Sequence, residues 1–468
     1  MSTSASGPRS RSAPAHSEPL DPTLVRLALA VLVGVIAAIL DLTIVNVALH
    51  TLQDRLHTSV ATIQWVSTGY VLAVALTIPV SGWVFERLGA RRAWLLALAL
   101  FGAGSVLCAA AWSPVSLIAF RVLQGVGGGM LLPLAQTILV HQAGRDRVAR
   151  VVPYIAIPSQ LGPVLGPVLG GVLLDNADWR VIFLTNIPLV AAAMVLGCRT
   201  IPATHPRPGH RPDLLGLALL SPALALLVFG FSQAAGSGGF GRAAVIGPLA
   251  AGVVLLACYC GHALRAPAPP LNLRYLRVRG YATSSALMFG SGITLFGALF
   301  LLPLYYQQVH GASALAAGLL LAPQGLGVAV GTILGGRLID PMRLGARLPA
   351  LAGLALLTVS TVPFVVAGPH TGELLLSLAV AVRGIGLGLA LVPVTTSVYV
   401  GLPHEAIPTA TTGVRIFQQV GGALGTAVLA VIVTHGFPVA FAWVLGLTVV
   451  SVVPALMLPG RATPPPGR

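Results

Sequence analysis

The chain contains twelve acidic residues, and only one of them, Asp41, lies well inside a long apolar segment. Placing a carboxylate at the centre of a bilayer costs at least about 2.5–3.5 kcal/mol. Such a group must therefore take up a proton, bind a cation or face water. We interpret Asp41 as a proton-binding or substrate-binding residue. The alternative is a purely structural polar contact.

Arg121 is the natural partner for Asp41, because the two residues lie at similar depths in their apolar segments. A nearby positive charge favours the ionised carboxylate, and loss of that contact favours protonation. The pair therefore predicts a proton-coupling switch. Gln124 shares one helical face with Arg121, as do Gly125 and Gly128. The alternative is that Arg121 only braces helices by donating to backbone carbonyls.

Two glycine-containing motifs predict segments that act as gates. A loop after the second apolar segment places charges at helix ends, where they can latch a closed state; its predicted gating residues are Gly82, Glu86, Arg87, Gly89 and Arg91. A later segment combines a glycine groove with two proline bends; its predicted gating residues are Gly162, Pro163, Gly166, Pro167, Gly170 and Gly171. The alternatives are a loop that only fixes topology and a groove that only packs helices.

Polar and aromatic residues within or at the ends of the apolar segments are candidates for a substrate cavity. Taken singly, each is more often structural than substrate-binding. The second half of the chain has no deep acid, which argues against a site for doubly charged cations. The candidates are Asn46, Gln64, Trp65, Gln124, Gln136, Tyr305, Tyr306, Gln324 and Arg383, with Tyr70 and Gln160 as further members.

The segments that carry these residues are long enough to cross a membrane. Of the 468 residues, 56% are hydrophobic and 8% are charged, whereas about a quarter are charged in soluble proteins. This composition excludes a soluble cytosolic enzyme. Fourteen runs of about 20 apolar residues predict an all-α polytopic membrane protein with fourteen transmembrane helices. Residues 1–24 predict a disordered tail without the features of a signal peptide.

The arginines predict the orientation in the membrane. All 27 basic residues are arginine, and 21 of them fall on the side that carries both termini, with three on the opposite side and three inside segments. Because positive residues concentrate on the cytoplasmic side, we predict cytoplasmic termini in the inner (cytoplasmic) membrane. The net charge of +15 is then a topology signal. We expect no nucleic-acid partner.

Recurring motifs predict two halves. The Gly82 loop pattern returns at Gly336, and the Arg121 pattern returns at Arg383. We therefore predict six-helix bundles at 25–198 and 281–459, a linker at 199–280 with two extra transmembrane helices, and a second cytoplasmic tail at 460–468. Two repeated bundles that flank a site at the membrane midplane are typical of alternating-access transporters.

These motifs resemble those of the major facilitator superfamily, and specifically its fourteen-span drug:proton antiporter branch. The stretch Leu40–Leu49 resembles the first-helix signature, and Gly82–Arg92 and Gly162–Gly171 resemble the loop and antiporter motifs. His50 departs from the proline that usually ends the first signature, and Glu86 replaces the usual aspartate. The resemblance implies export of a lipophilic compound in exchange for protons, with Asp41 as the proton-coupling carboxylate.

The sequence therefore predicts a proton-coupled antiporter that exports lipophilic or amphipathic drugs or antibiotics by alternating access. Two alternatives with the same fold stay open, an exporter of an endogenous secondary metabolite and a lipid transporter. We expect no enzyme activity, because the eleven histidines are scattered and the four cysteines lack zinc-ligand spacing. We expect no metal and no cofactor. The expected partners are a small lipophilic substrate, protons and the lipid bilayer, and the expected state is a monomer.

Overall fold

A computed structural model describes residues 21–143, 162, 165–166, 168–174, 176–204, 213–237, 239–339, 345–368 and 371–458. Within these ranges the chain forms helices and no β-strand. Besides the helical residues 168–174, the helices up to residue 263 are α1 (Pro22–Arg55), α2 (Val60–Ile63), α3 (Trp65–Leu88), α4 (Ala90–Ala109), α5 (Pro114–Ala143), α6 (Val181–Leu184), α7 (Asn186–Thr200), α8 (Leu214–Ser237) and α9 (Ala243–Ala263). The others are α10 (Arg279–Val309), α11 (Ala314–Leu320), α12 (Ala322–Ile339), α13 (Arg347–Val366), α14 (Glu373–Ser397), α15 (Ile407–Ile432), α16 (Phe437–Val450) and α17 (Val452–Leu456).

Thirteen helical spans in the described ranges are long and apolar enough to cross a membrane. The predicted all-helical, multi-pass membrane protein is thereby confirmed. Each of the thirteen corresponds to one of the fourteen predicted segments. The remaining segment, at 150–174, lies partly outside the described residues, so the count of fourteen stays a prediction.

The first helix begins earlier than the sequence predicted. Residues 22–24, which were assigned to the tail, belong to α1. The Asp21 side chain caps this helix by accepting a hydrogen bond from the Thr23 backbone amide, and Pro22 occupies the first helical position. Both features favour a helix start, and they outweigh the local polar composition. Residues 1–20 lie outside the described part of the chain.

Close helix packing in the first half of the chain depends on glycines. Helices α3 and α4 both pack against α5. A methyl group on Gly104 would lie 2.5 Å from the Cα atom of Gln124, and one on Gly125 would lie 2.7 Å from the carbonyl oxygen of Tyr70. Side chains are therefore excluded at both contacts. The resulting short distances between backbones bring α4 and α3 within hydrogen-bonding and stacking range of the polar residues on α5.

Helix pairs in the second half pack in a comparable way. Helix α10 packs against α15, α12 against α14, and α13 against α14 and α16. Helix α15 also contacts α3 and α5 from the first half. The two helices from the predicted insert, α8 and α9, pack against each other, and α8 contacts both α3 and α15. Helix α8 thus adjoins the place where the two parts of the chain meet.

The glycine contact between α4 and α5 leads to a matched pair of substitutions. Gly104→Ala should lower the free energy of unfolding by about 1–3 kcal/mol, because the added methyl group overlaps the backbone of Gln124. Gly446→Ala on α16 faces open space, and there the better helix propensity of alanine should leave stability unchanged or raise it by up to about 1 kcal/mol. Thermal unfolding of the purified proteins in detergent measures both. Equal midpoints for the two variants would contradict the packing argument.

Candidate functional site

The deep acid and the deep arginine form an ion pair. Arg121 Nη1 lies 2.6 Å from Asp41 Oδ2, and both side chains are 0% exposed. Asp41 comes from α1 and Arg121 from α5, so the pair joins two helices that are distant in the sequence. The free-energy cost of removing two charges from water is offset only when the pair has good geometry and further hydrogen bonds. The surroundings of the pair supply both.

Two amide side chains complete the shell of the carboxylate. Gln124 Nε2 and Asn186 Nδ2 each donate to Asp41 Oδ1 at 2.8 Å. The same two nitrogens also lie 2.7 and 3.2 Å from Ser105 Oγ. All three donors to Asp41 point at acceptor oxygens, which is the arrangement that an ionised carboxylate requires. Helices α1, α4, α5 and α7 therefore meet at one buried polar cluster.

The guanidinium of Arg121 also has an aromatic neighbour. Its Cζ atom lies 4.1 Å from the centroid of the Tyr70 ring, and its Nε donates to the carbonyl of Val66 at 3.2 Å. Arg121 Nη2 is buried and has no hydrogen-bond partner among the described residues. Tyr70 also lines the cavity described next. One tyrosine therefore contacts both the ion pair and the cavity.

A cavity of about 490 Å³ lies between the two parts of the chain. A volume of this size suits a drug-sized ligand. Helix α1 supplies cavity-lining residues on both sides of Asp41 in the sequence, at 38, 39, 42, 43 and 46. Most of the wall is aliphatic. The described lining residues with charged, amide or tyrosyl side chains are Asn46, Tyr70, Gln136, Tyr399, Arg415, Gln418 and Gln419.

The predicted cavity residues divide into three groups. Asn46 and Gln136 line the cavity, as does Tyr70. Gln124 is instead part of the polar cluster around Asp41. The other described candidates are outside the lining, and they are Gln64, Trp65, Tyr305, Tyr306, Gln324 and Arg383. Gln160 lies outside the described residues.

Several candidates outside the cavity have visible packing roles. The Trp65 ring lies 5.6 Å from that of Phe229, and Tyr305 contacts an aromatic cluster that includes Phe364 and Phe441. Tyr306 is buried beside Tyr305. The Gln324 side chain is also buried. Residue type alone could not separate these positions from cavity positions, because amphipathic side chains serve both uses.

Arg383 occupies the position in the second half that corresponds to Arg121, but its partners are different. Its Nη1 donates to Thr361 Oγ1 at 3.0 Å, and its Nη2 donates to the backbone carbonyl of Thr294 at 2.9 Å. The side chain is buried, and no carboxylate contacts it among the described residues. In the described part of the chain, the cluster around Asp41 thus has no acidic counterpart around Arg383.

Two residues of the Asp41 cluster, Asn186 and Ser105, were not among the predicted site residues. Arg415, one of the three arginines that the sequence places inside apolar segments, lines the cavity. A serine or asparagine in an apolar helix is too common to single out. Arg415 carried a stronger signal, because an arginine inside a membrane segment is costly unless it faces a partner or a cavity.

The predicted loop motif lies where α3 turns into α4. Gly89 has a φ of 78°, a conformation that favours glycine. The Arg91 Nε donates to the carbonyl of Ile201 at 2.7 Å. Gly82 faces Thr412 of α15, so this motif contacts the second half of the chain. Glu86 is half-buried and Arg87 is exposed.

Three of the four described glycines of the later gating motif face α1. A side chain on Gly162 would overlap Ile39, and one on Gly166 would overlap Thr43. Gly170 lies at ordinary contact distance from α1, and Gly171 has open space beside it. Pro163 and Pro167 lie outside the described residues. The predicted groove therefore packs on the same stretch of α1 that carries Asp41.

Comparison with known proteins identifies the family. The family sequence model of the Major Facilitator Superfamily matches residues 31–426 of this chain. This chain belongs to the major facilitator superfamily. Members of the superfamily are membrane transporters and not enzymes.

Two relatives carry names that refer to drug resistance or export. The chain is 36% identical over 425 residues to the multidrug resistance protein B homolog of Mycobacterium tuberculosis strain H37Rv. The aligned region covers 90% of this chain and 78% of the relative. The chain is also 31% identical over 411 residues to the tetracenomycin C resistance and export protein of Streptomyces glaucescens. That aligned region covers 86% of this chain and 75% of the relative.

A solved member of the superfamily shows the same fold. The crystal structure of the human organic anion transporter MFSD10 superposes with a TM-score of 0.65, and the match covers 93% of this chain and 100% of that one. The sequence identity of that pair is 19%. At this identity the likeness shows the fold alone.

Removing one charge of the ion pair should lower the free energy of unfolding more than removing both charges. Arg121→Gln should lower the free energy of unfolding by about 3–5 kcal/mol, because it leaves the buried Asp41 carboxylate unpaired. The double variant Asp41→Asn/Arg121→Gln should recover part of that loss, since no charge stays buried.

Thermal unfolding in detergent measures these effects. A control is Asp178→Asn, which breaks an exposed ion pair with Arg180 at 3.4 Å and should cost no more than about 1 kcal/mol. Additive losses in the Asp41/Arg121 double variant would show that the two charges do not stabilise each other.

Proposed function

We propose that this transporter is a proton-coupled antiporter that exports small lipophilic or amphipathic compounds by alternating access. The observation that carries the proposal is the Asp41–Arg121 pair, which lies beside a large apolar cavity and contacts it through Tyr70. Asp41 is the one buried acid among the described residues. The names of the two export relatives support drugs or antibiotics as cargo.

Protonation of Asp41 is the proposed coupling step. A proton on the carboxylate removes the charge that holds Arg121 and weakens the hydrogen bonds from Gln124 and Asn186. Because α1 lines the cavity on both sides of Asp41, a shift of this helix changes the cavity wall. Proton binding and substrate binding thereby favour different arrangements of one helix, which is what exchange of the two requires.

The proposed architecture has fourteen spans, with six-helix bundles at 25–198 and 281–459 around the inserted pair at 199–280. The tails at 1–24 and 460–468 and both termini are cytoplasmic in this proposal, and the protein works as a monomer in the inner membrane with protons as the coupling ion and no cofactor. The helix pairings within each half and the contact of α15 with α3 and α5 support this arrangement.

Two sets of contacts are the proposed gates. Under the predicted orientation, the contact between Gly82 and Thr412 lies at the cytoplasmic ends of α3 and α15. The glycines at 162 and 166 allow a second helix to pack closely on α1 around Thr43. Small residues on both surfaces permit sliding without large side chains in the way. We assign gating roles to the residues of both motifs on this basis.

A second candidate cargo is a secondary metabolite that the producing cell makes itself. The name of the Streptomyces glaucescens relative, a resistance and export protein for tetracenomycin C, favours this version. Both cargo classes are amphipathic and fit the same apolar cavity. A lipid transporter of the same fold is distinguished by flipping of a fluorescent phospholipid in proteoliposomes, which the drug-export proposal expects to be absent.

Removal of the Asp41 charge should abolish coupling. Everted membrane vesicles with an acidic lumen, clamped at zero membrane potential, are loaded with a ΔpH-sensitive dye. Ethidium, N-phenyl-1-naphthylamine and 8-anilino-1-naphthalenesulfonate are added in turn, and fluorescence recovery reports proton release. For at least one compound the native protein should release protons, and Asp41→Asn should fall to the level of vesicles without the transporter.

Glu373→Gln is the matched control, because it removes an exposed carboxylate at the start of α14. This variant should retain native proton release. Normal proton release by Asp41→Asn would overturn the assignment of the coupling residue. No release with any of the three compounds by the native protein would contradict proton-coupled drug export.

A further inference from the structure

Arg415 of α15 is the one charged side chain among the described residues that line the cavity. Its Nε donates to Gln136 Oε1 at 2.7 Å, and its Nη1 donates to Gln418 Oε1 at 2.6 Å. Both acceptors are neutral amides. No carboxylate pairs with Arg415 in the described part of the chain.

A cation in an apolar cavity is costly unless an opposite charge accompanies it. Amide oxygens satisfy hydrogen bonds but leave the full positive charge uncompensated. The remaining wall is mostly aliphatic, with leucine, valine and isoleucine side chains from both halves of the chain. The cavity therefore offers one positive group within a volume that otherwise favours hydrocarbon rings.

The uncompensated charges of the described residues near the cavity are positive. On the side of the first half, Asp41 and Arg121 cancel each other within their ion pair. On the side of the second half, Arg383 donates to the backbone of Thr294, a cavity-lining residue, and has no carboxylate partner among the described residues. A ligand in the cavity thus meets uncompensated positive charge from Arg415 and, one layer behind the wall, from Arg383.

We infer that the transported compound is a lipophilic anion, with its acidic group bound by Arg415 and its rings packed on the aliphatic wall. This inference rests on the proposed transport function and specifies its cargo. A carboxylate or sulfonate forms stronger hydrogen bonds with a guanidinium than an amide does. The acidic group of the cargo therefore competes with Gln136 and Gln418 for the N–H donors of Arg415.

Displacement of Gln136 has a structural consequence. Gln136 belongs to α5 and Arg415 to α15, so their hydrogen bond joins the two halves of the chain across the cavity. An anion that takes the place of the Gln136 oxygen breaks this link as it binds. Recognition of the cargo and release of a contact between the halves are then one event.

A purely structural role for Arg415 makes a different prediction. If Arg415 only braces α5 against α15, removing either partner of the Gln136 hydrogen bond has the same effect on ligands. If Arg415 recognises an anion, removing its charge and removing Gln136 have different effects. The two variants Arg415→Gln and Gln136→Ala therefore separate the two roles.

The test uses two probes that share a ring system, 8-anilino-1-naphthalenesulfonate and the uncharged N-phenyl-1-naphthylamine, with tetraphenylphosphonium as the lipophilic cation. Binding to the full chain is measured in lipid nanodiscs. The two naphthalene probes are followed by their fluorescence and tetraphenylphosphonium by its displacement of a bound probe, and the signal from nanodiscs without protein is subtracted. The native protein should bind the sulfonate about tenfold or more tightly than the amine, as expected for hydrogen bonds to a charged group. The phosphonium should bind most weakly.

The variants should change this preference in a defined order. Arg415→Gln should bind the sulfonate and the amine equally, Arg415→Lys should keep a several-fold preference, and Gln136→Ala should keep the full preference. An unchanged amine affinity and thermal midpoint in Arg415→Gln would show that its cavity is intact. If that variant does not fold, Arg415→Lys and Gln136→Ala still decide between the roles.

Three results would overturn the inference: no preference for the sulfonate in the native protein, a preference that survives Arg415→Gln, or equal loss of preference in Gln136→Ala. Vesicles distinguish this failure from failure of the proposed function. Proton release with ethidium or the amine but not with the sulfonate would refute the anionic cargo and leave export in place. Tenfold preferential binding of the sulfonate without proton release for any compound would refute coupled export instead.

Discussion

A charged side chain inside a bilayer must find a partner, because hydrocarbon supplies neither water nor counterions. In this protein the requirement is met by the Asp41–Arg121 pair, with Gln124 and Asn186 as further donors to the carboxylate. Four helices supply these groups and Ser105. One buried carboxylate therefore joins helices that are far apart in the sequence.

The polar cluster depends on unusually close backbones. Gly104 and Gly125 allow α4 and α3 to approach α5, and glycines from the later motif allow another segment to approach α1. Interhelical contacts in membranes gain little from the hydrophobic effect, because lipid tails are as apolar as leucine. Packing and buried hydrogen bonds take over that role. The small residues at these contacts thereby help to position the ion pair.

The cavity has an unequal distribution of charge between the two halves of the chain. The first half carries a neutral ion pair, whereas the second half carries Arg383 and Arg415 without carboxylates among the described residues. The group that we propose to bind the proton and the group that we propose to hold the cargo thus lie in different halves. Tyr70, which contacts Arg121 and lines the cavity, and the bond between Gln136 and Arg415 connect the two functions across the cavity.

The sequence by itself determined the membrane-spanning helical fold and the superfamily, and it singled out Asp41 and Arg121 as candidate partners, because the cost of burying charge is readable from composition and spacing alone. It also indicated which glycines face a neighbouring helix. It did not separate Asn46 and Gln136, which line the cavity, from Tyr305 and Gln324, which do not. Only the tertiary structure decided that Gln124 contacts Asp41 and that Arg415 faces the cavity, because those contacts depend on which helices lie side by side and which face each one turns inward.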